Sequence, residues 1–402
     1  MESKDFIIKD GVLTEYRGKG GAVVIPEGVL AIGRYTFWNC IALTSIEMPS
    51  SVTAIGIGAF GGCVGLTSIH FSSSVTSIGE GALRGCTGVT SIEVSTDNPT
   101  YRSENNCIIE RATNKLIAGC KTSIIPNGVT SIGEFAFVEC VGLSSIHLSS
   151  SVTSIGEGAF YGCAGVTSIE VSTDNPAYRS ENNCIIERAT NKLIVGCKTS
   201  IIPSSVTYIG ARAFQASSGL TSVEVPSGVT SIGMFAFSGC IGLKSIEMPS
   251  SLTSIGEGAL RGCTGLTSIT YMGTMAEWLA IGKHYDWDDC AGEYVVHCTD
   301  GDIGDANALY TYTGTGGDVV IPNGVTEIGE WAFADSTDLT SVQLPSSVIF
   351  IGEGAFNGFG LTSITYTGTM AEWRDIDKDD DWDLGTGDYV IHCTDGDIAK
   401  DE

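Results

Sequence analysis

The dipeptide Ile-Gly returns at Ile32, Ile55, Ile78, Ile132, Ile155, Ile209, Ile232, Ile255, Ile328 and Ile351, and its nearest returns are 23 residues apart. A fixed period of this length means that one unit cannot bury its apolar side alone. The units must stack and share a core, which moves function from a single pocket to a repeated surface.

A standard unit reads LTSIEMPSSVTAIGIGAFGGCVG, residues 43–65. Its apolar places Leu43, Ile46, Met48, Val52, Ile55, Ala59, Phe60 and Cys63 have counterparts one period on at Leu66, Ile69, Phe71, Val75, Ile78, Ala82, Leu83 and Cys86. Ile46 and Met48 alternate with Ser45 and Glu47, the period of a strand buried on one face. Pro49 cannot donate to a ladder and ends that strand. Ile55-Gly56 reads as a second short extended piece before a tight turn, and Ala59-Phe60 as a half-turn that plugs the core. The expected fold is a repeat solenoid, mainly short parallel β-strands with turns and short helical pieces, plus hairpin inserts.

These units resemble the BspA-type leucine-rich repeats, whose unit is close to LxSIxIPxSVTSIGxxAFxGC, and the resemblance covers nearly the whole chain. It implies a leucine-rich-repeat-like solenoid, a surface or secreted setting and a role in adhesion. Cys63 precedes Leu66 instead of following an L-x-x-L-x-L strand, so the resemblance does not carry over the horseshoe curvature of commoner leucine-rich repeats.

Two modules interrupt the standard units. Residues Thr90 to Pro126 reappear almost unchanged from Thr167 to Pro203, and CIIE-RATN-KLIAGC within them reads as a hairpin with Ile109 and Leu116 on one face. Hairpin inserts are thus expected near 94–126 and 171–203, widening one edge of the solenoid. The second module spans 266–303 and returns at 361–398. In it Thr274 with Glu277, and Thr369 with Glu372, have capping-box spacing, so each module reads as strand, helix, strand and closes an array. GVLTEYRGKGGAVVIP from Gly11 lines up with NALYTYTGTGGDVVIP from Asn307. The expected division is a long array, 1–303, and a short one, 304–402.

The formal charge of −26 argues against nucleic acid and against insertion in an anionic membrane, and favours a protein partner with a basic surface. No run approaches a membrane span. MESKDFIIKDG lacks the apolar centre of a signal peptide, so the chain is cytoplasmic if full length, against the surface or secreted setting that the resemblance implies.

Motifs that carry chemistry are few. Gly56-x-Gly58-x-x-Gly61 matches a dinucleotide fingerprint, but the other copies break it and no βαβ unit surrounds it, so a repeat turn is expected. Asp375, Asp377, Asp379 and Asp381 resemble the start of a calcium loop; Asp380 stands where glycine is needed and Thr386 where glutamate is, which favours a solvated acidic surface. His297-Cys298 and His392-Cys393 are neighbours on a strand and point to opposite faces, which disfavours joint metal binding. Trp278, Trp287, Trp373 and Trp382 are expected in the core, with sugar stacking as the alternative. No nucleophile has an identifiable base, so neither catalysis nor a cofactor is expected.

Seven cysteines, Cys40, Cys63, Cys86, Cys140, Cys163, Cys240 and Cys263, recur with the repeat and are expected as buried free thiols. Cys107 with Cys120, and Cys184 with Cys197, are left open as disulfide pairs.

The surface that stands out follows the strand isoleucine: Glu47, His70, Glu93, His147, Glu170, Glu224 and Glu247, an outward ladder for a protein partner. A second row holds Glu80, Glu134, Glu157, Glu257, Glu330 and Glu353. The function expected is a non-catalytic interaction scaffold acting in adhesion or protein binding. Its alternatives are a carbohydrate-binding or carbohydrate-active surface protein and a structural spacer; outward charge that only blocks aggregation would suit the last.

Overall fold

The computed structural model describes residues 4–304, 307–314, 317–334, 336, 338–357 and 360–400. The chain winds as a β-solenoid in which each standard coil carries one longer strand and one strand of two residues, as in Leu43–Glu47 and Ala54–Ile55. Successive coils pair in parallel and in repeat register: Ile32 faces Ile55, which faces Ile78, and Ile146 faces Ile169. One period is therefore one turn of the solenoid.

The half-turn Ala-Phe builds a third wall. Phe37 N–H donates to Ala59 O at 2.8 Å and Phe60 N–H to Ala82 O at 2.9 Å, so main-chain groups outside the strands are also satisfied coil by coil. The phenylalanines stack inside, with ring centres 5.5 Å apart for Phe37–Phe60, 5.3 Å for Phe137–Phe160 and 5.1 Å for Phe214–Phe237. These offset stacks add to the burial of the rings themselves.

The inserts hold the hairpin expected and one strand more. Tyr101–Glu104, Cys107–Glu110 and Lys115–Ala118 form a three-stranded antiparallel meander, in which Ile109 does face Leu116. Its third strand pairs in parallel with Ser131–Ile132 and so takes the place of a short strand in the stack. The insert therefore interrupts the short-strand sheet after Ser77–Ile78 instead of widening an edge. The broken edge is sealed by a side chain: the Tyr101 hydroxyl accepts from Ile78 N–H at 3.2 Å, and Tyr178 does the same for Ile155. Buried Asn98 holds the turn, donating to Ser72 O and Val75 O and accepting from the Thr100 and Tyr101 amides.

Both capping boxes form, on helices Met275–Ala280 and Met370–Asp375. After the first helix, Gly282–Lys283 pairs with Ser254–Ile255, and Val295–Cys298 pairs with Ser268–Tyr271. Gly301–Ile303 then lies antiparallel between Val295–Cys298 and Ala308–Tyr312. Near the two ends of the sequence these two pairings are separate, Gly396–Ala399 with Val390–Cys393 and Phe6–Lys9 with Val12–Tyr16. At the centre one strand thus serves the last coil before it and the first coil after it. A nine-stranded sheet and one hydrophobic cluster from Cys184 to Ile398 run across this point.

Candidate interaction face

Strand alternation turns the ladder residues outward while their neighbours go in: Ile69 and Phe71 are buried around exposed His70, and Ile92 and Val94 around exposed Glu93. His70 faces Glu93 and His147 faces Glu170, with Nδ1 to Oε2 distances of 3.9 and 3.7 Å. Glu224 faces Glu247, the one directly opposed pair of glutamates among the ladder residues described. Glu47 instead faces Val24, and Glu247 faces Thr270 on its other side. The row is therefore less self-repelling than a run of glutamates.

Two kinds of member were missed in the sequence. His297 faces Thr270 and His392 faces Thr365, which puts both in the same row, each with Nδ1 within 2.9 Å of an aspartate, Asp302 or Asp397, on the antiparallel strand beside it. The other kind is aliphatic. Val24, Ile124, Ile201 and Val320 all stand two residues before a proline, as Glu47 does, and are 63%, 65%, 71% and 65% exposed; Val24 and Val320 lie in strands, whereas Ile124 and Ile201 lie outside any strand, their amides donating to Asn105 O and Asn182 O at 3.3 Å. The spacing to that proline was the signal that would have found them. The second row, from Glu80 to Glu353, runs along the turn wall; in it the Glu157 carboxylate is bonded by Arg212 Nε at 2.7 Å.

The remaining candidates are placed apart from this face. Asp375 ends a helix, Asp377 lies in a strand, Asp379 accepts from the Glu353 amide at 3.3 Å, and Asp381 is a left-handed turn residue. Among the described residues no three His, Cys, Asp or Glu side chains cluster in a way that would hold a metal ion. Trp278, Trp287 and Trp373 are buried and Trp382 packs against the same core. In each HC pair the histidine points outward and the cysteine packs on the core. Gly58 is a left-handed turn residue, φ +57°, under the Tyr35 ring, which accounts for the glycine fingerprint as a repeat turn.

The core thiols do more than fill space. Cys63, Cys86, Cys240 and Cys263 each donate S–H to the carbonyl of a phenylalanine one coil back, at 3.0–3.2 Å. Burial pushes Cys86 and Cys163 up to about 12. Cys107, Cys120, Cys184 and Cys197 are free thiols, with Cys107 and Cys120 in different hydrophobic clusters, so the disulfide alternative is not realised. Lys283 takes the register of buried Ile255; its ammonium bonds the Trp278 carbonyl at the helix C-terminus, and burial lowers it to about 8.

A family model described as the BspA type leucine rich repeat region, six copies long, matches residues 20–115, 114–184, 190–279 and 306–375. No curated protein matches the chain. Among solved structures, a leucine rich cell surface protein from Faecalibacterium prausnitzii is 26% identical with a TM-score of 0.43, over 94% of this chain and 97% of that one. A leucine-rich repeat protein from Eubacterium ventriosum is 22% identical with a TM-score of 0.42, over 96% of this chain and 93% of the other. The pneumococcal vaccine antigen PcpA is 14% identical with a TM-score of 0.38, over 94% and 79%.

Proposed function

The chain belongs to the BspA-type leucine-rich repeat family, and from that premise we propose that it is a non-catalytic scaffold which binds a protein partner, in adhesion, through the outward row of its longer strands. The observation that carries this reading is the set of four exposed aliphatic side chains, Val24, Ile124, Ile201 and Val320, each two residues before a proline as Glu47 is. Exposed aliphatics also recur directly after the repeat cysteine, at Ile41, Val64, Val141 and Ile241, so what favours this row is the mixing of its apolar side chains with glutamates and histidines. Apolar anchors flanked by polar and charged groups are the composition of an interface, with the anchors giving affinity and the charge giving approach rate and register.

The acidic members and the charge of −26 favour a basic partner. The surface or secreted setting that the family implies belongs to this reading. Among the described residues no helix is long and apolar enough to cross a membrane.

The test is a paired capture. The chain and a variant carrying Val24→Ser, Ile124→Ser, Ile201→Ser and Val320→Ser with Glu47→Gln, Glu93→Gln, Glu170→Gln, Glu224→Gln and Glu247→Gln are exposed to the same protein mixture. A partner held by the first, lost by the folded variant and released by salt supports the reading; equal retention by both contradicts it.

A further inference from the structure

We propose that the cleft between the coil of residues 155–163 and the coil of residues 209–217 is a binding site for a compact molecule that bears one carboxylate and a small apolar face. It lies on the turn wall, away from the strand face, and is independent of the function proposed above. The second insert separates these two coils, and the gap it leaves has a volume of about 230 Å³. Ile155, Phe160 and Phe214 form an apolar part of its floor, within a lining that is more polar than apolar.

Donors gather at the rim. Arg212 is fixed there, with Nε on Glu157 at 2.7 Å, Nη1 on the Gln215 side-chain oxygen Oε1 at 3.0 Å and its guanidinium 4.8 Å from the Phe235 ring centre. Glu157 is the acidic group in the lining, and Arg212 engages it. Lys192 sits 5.0 Å from the Tyr208 ring centre and makes no ion pair among the described residues. The Tyr161 hydroxyl likewise has no hydrogen-bond partner among them. One unneutralised ammonium and the Tyr161 hydroxyl over a partly apolar floor are the complement of a compact body with a small apolar face and a single negative charge. The negative charge of the whole chain acts weakly at this range, because salt at physiological strength screens beyond about 8 Å.

The first insert provides an internal control. Its cleft is closed: Arg84 stands in the place of Tyr161 and bonds Glu139, in the place of Ala216, at 2.7 Å. Glu134 and Val138 replace Ala211 and Gln215. The two inserts are nearly identical in sequence, so the residues that open one cleft and shut the other are changes in the flanking coils.

Phenylacetate, titrated onto the whole chain by calorimetry and saturation-transfer NMR, is the probe. We expect a Kd of about 1 mM or tighter, in keeping with about ten heavy atoms, and binding about tenfold weaker for phenylacetamide, which keeps the shape and lacks the charge. Lys192→Gln should weaken phenylacetate about tenfold. Tyr161→Arg with Ala216→Glu copies the Arg84–Glu139 closure and should abolish binding. Gly-Gly-Phe and its C-terminal amide separate the two sources of such a group: a peptide preferred over phenylacetate and lost on amidation identifies a chain terminus, and the reverse order identifies a free acid. The proposal is overturned if phenylacetate does not bind at about 20 mM, if the amide binds as well as the acid, or if the folded double variant binds as well as the parent. Should the double variant not fold, unchanged affinity in Lys192→Gln overturns it alone.

Discussion

The ring of Phe135 lies against Gly158 of the next coil, so close that a Cβ on Gly158 would stand 2.6 Å from the ring. Tyr35 over Gly58, Phe235 over Gly258 and Trp331 over Gly354 repeat the arrangement, and all eight residues have left-handed φ between +53° and +61°. An aromatic residue in one coil and a glycine in the next are therefore one structural unit.

Gly158→Ala should consequently destabilise the chain by about 2 kcal/mol or more, from left-handed strain and the clash together. Gly28→Ala, at φ +86° with nothing within 4 Å, incurs the backbone strain without the clash and should cost about 1 kcal/mol. Denaturant unfolding of both variants checks the difference; equal losses would mean that the ring contact adds nothing.

This unit shows where the sequence was readable. The isoleucine period carried the coil, the strand face and the burial of Cys63, Cys86, Cys140, Cys240 and Cys263, because each depends on residues one period apart; Cys40 and Cys163, expected buried as well, are half-buried. The capping boxes at Thr274 and Thr369 were legible for a similar reason: their partners lie three residues away. The meander strand Tyr101–Glu104 was missed because its buried face is mostly polar, and its role depends on a tyrosine hydroxyl reaching Ile78, 23 residues back. Of the candidate face, the glutamates and histidines were legible by alternation. Ile124 and Ile201 were not, since an isoleucine beside an isoleucine reads as core until the proline register is counted.

Tyr101→Phe should expose that sealed edge to loss. Removing the hydroxyl leaves the Ile78 amide without its acceptor and should cost about 1–2 kcal/mol, with faster amide exchange at Ile78. Tyr178→Phe should behave alike at Ile155. Exchange at Ile78 that is unaltered in Tyr101→Phe would show that the hydroxyl does not hold the edge.

Alkaline pH should unfold the chain in a specific window. Cys86, Cys107, Cys163 and Cys184 are pushed by burial from an ordinary 9.0 up to about 12. Between these values the folded form binds more protons than the unfolded one, so their contribution is complete below pH 9 and is lost as pH rises toward 12. Lys283 has the opposite sign: lowered from 10.5 to about 8, it adds stability as pH rises through that range. Four thiols outweigh one lysine, and each contributes at most about 1.4 kcal/mol per pH unit. Urea unfolding from pH 7 to 10.5 should show stability falling above 9, with a shallower fall in Cys86→Ala; a flat profile would contradict the buried-thiol assignment.

Deleting residues 367–402 should promote self-association. The deletion uncovers the strand Ser363–Tyr366 and the buried Phe356 beneath it, leaving an open edge and an apolar end. Light scattering checks this, and a truncated chain that stays monomeric with an unchanged unfolding transition would show that the final module closes nothing.

The interaction face itself is tested most directly by hydroxyl-radical footprinting of the whole chain, free and with the captured partner. The account predicts protection at Val24, Ile124, Ile201 and Val320 with the neighbouring Glu47, Glu93 and Glu224, while Trp38 and Tyr35 on the turn wall stay as reactive as in the free chain. Protection of the turn wall with the strand row unchanged would contradict it.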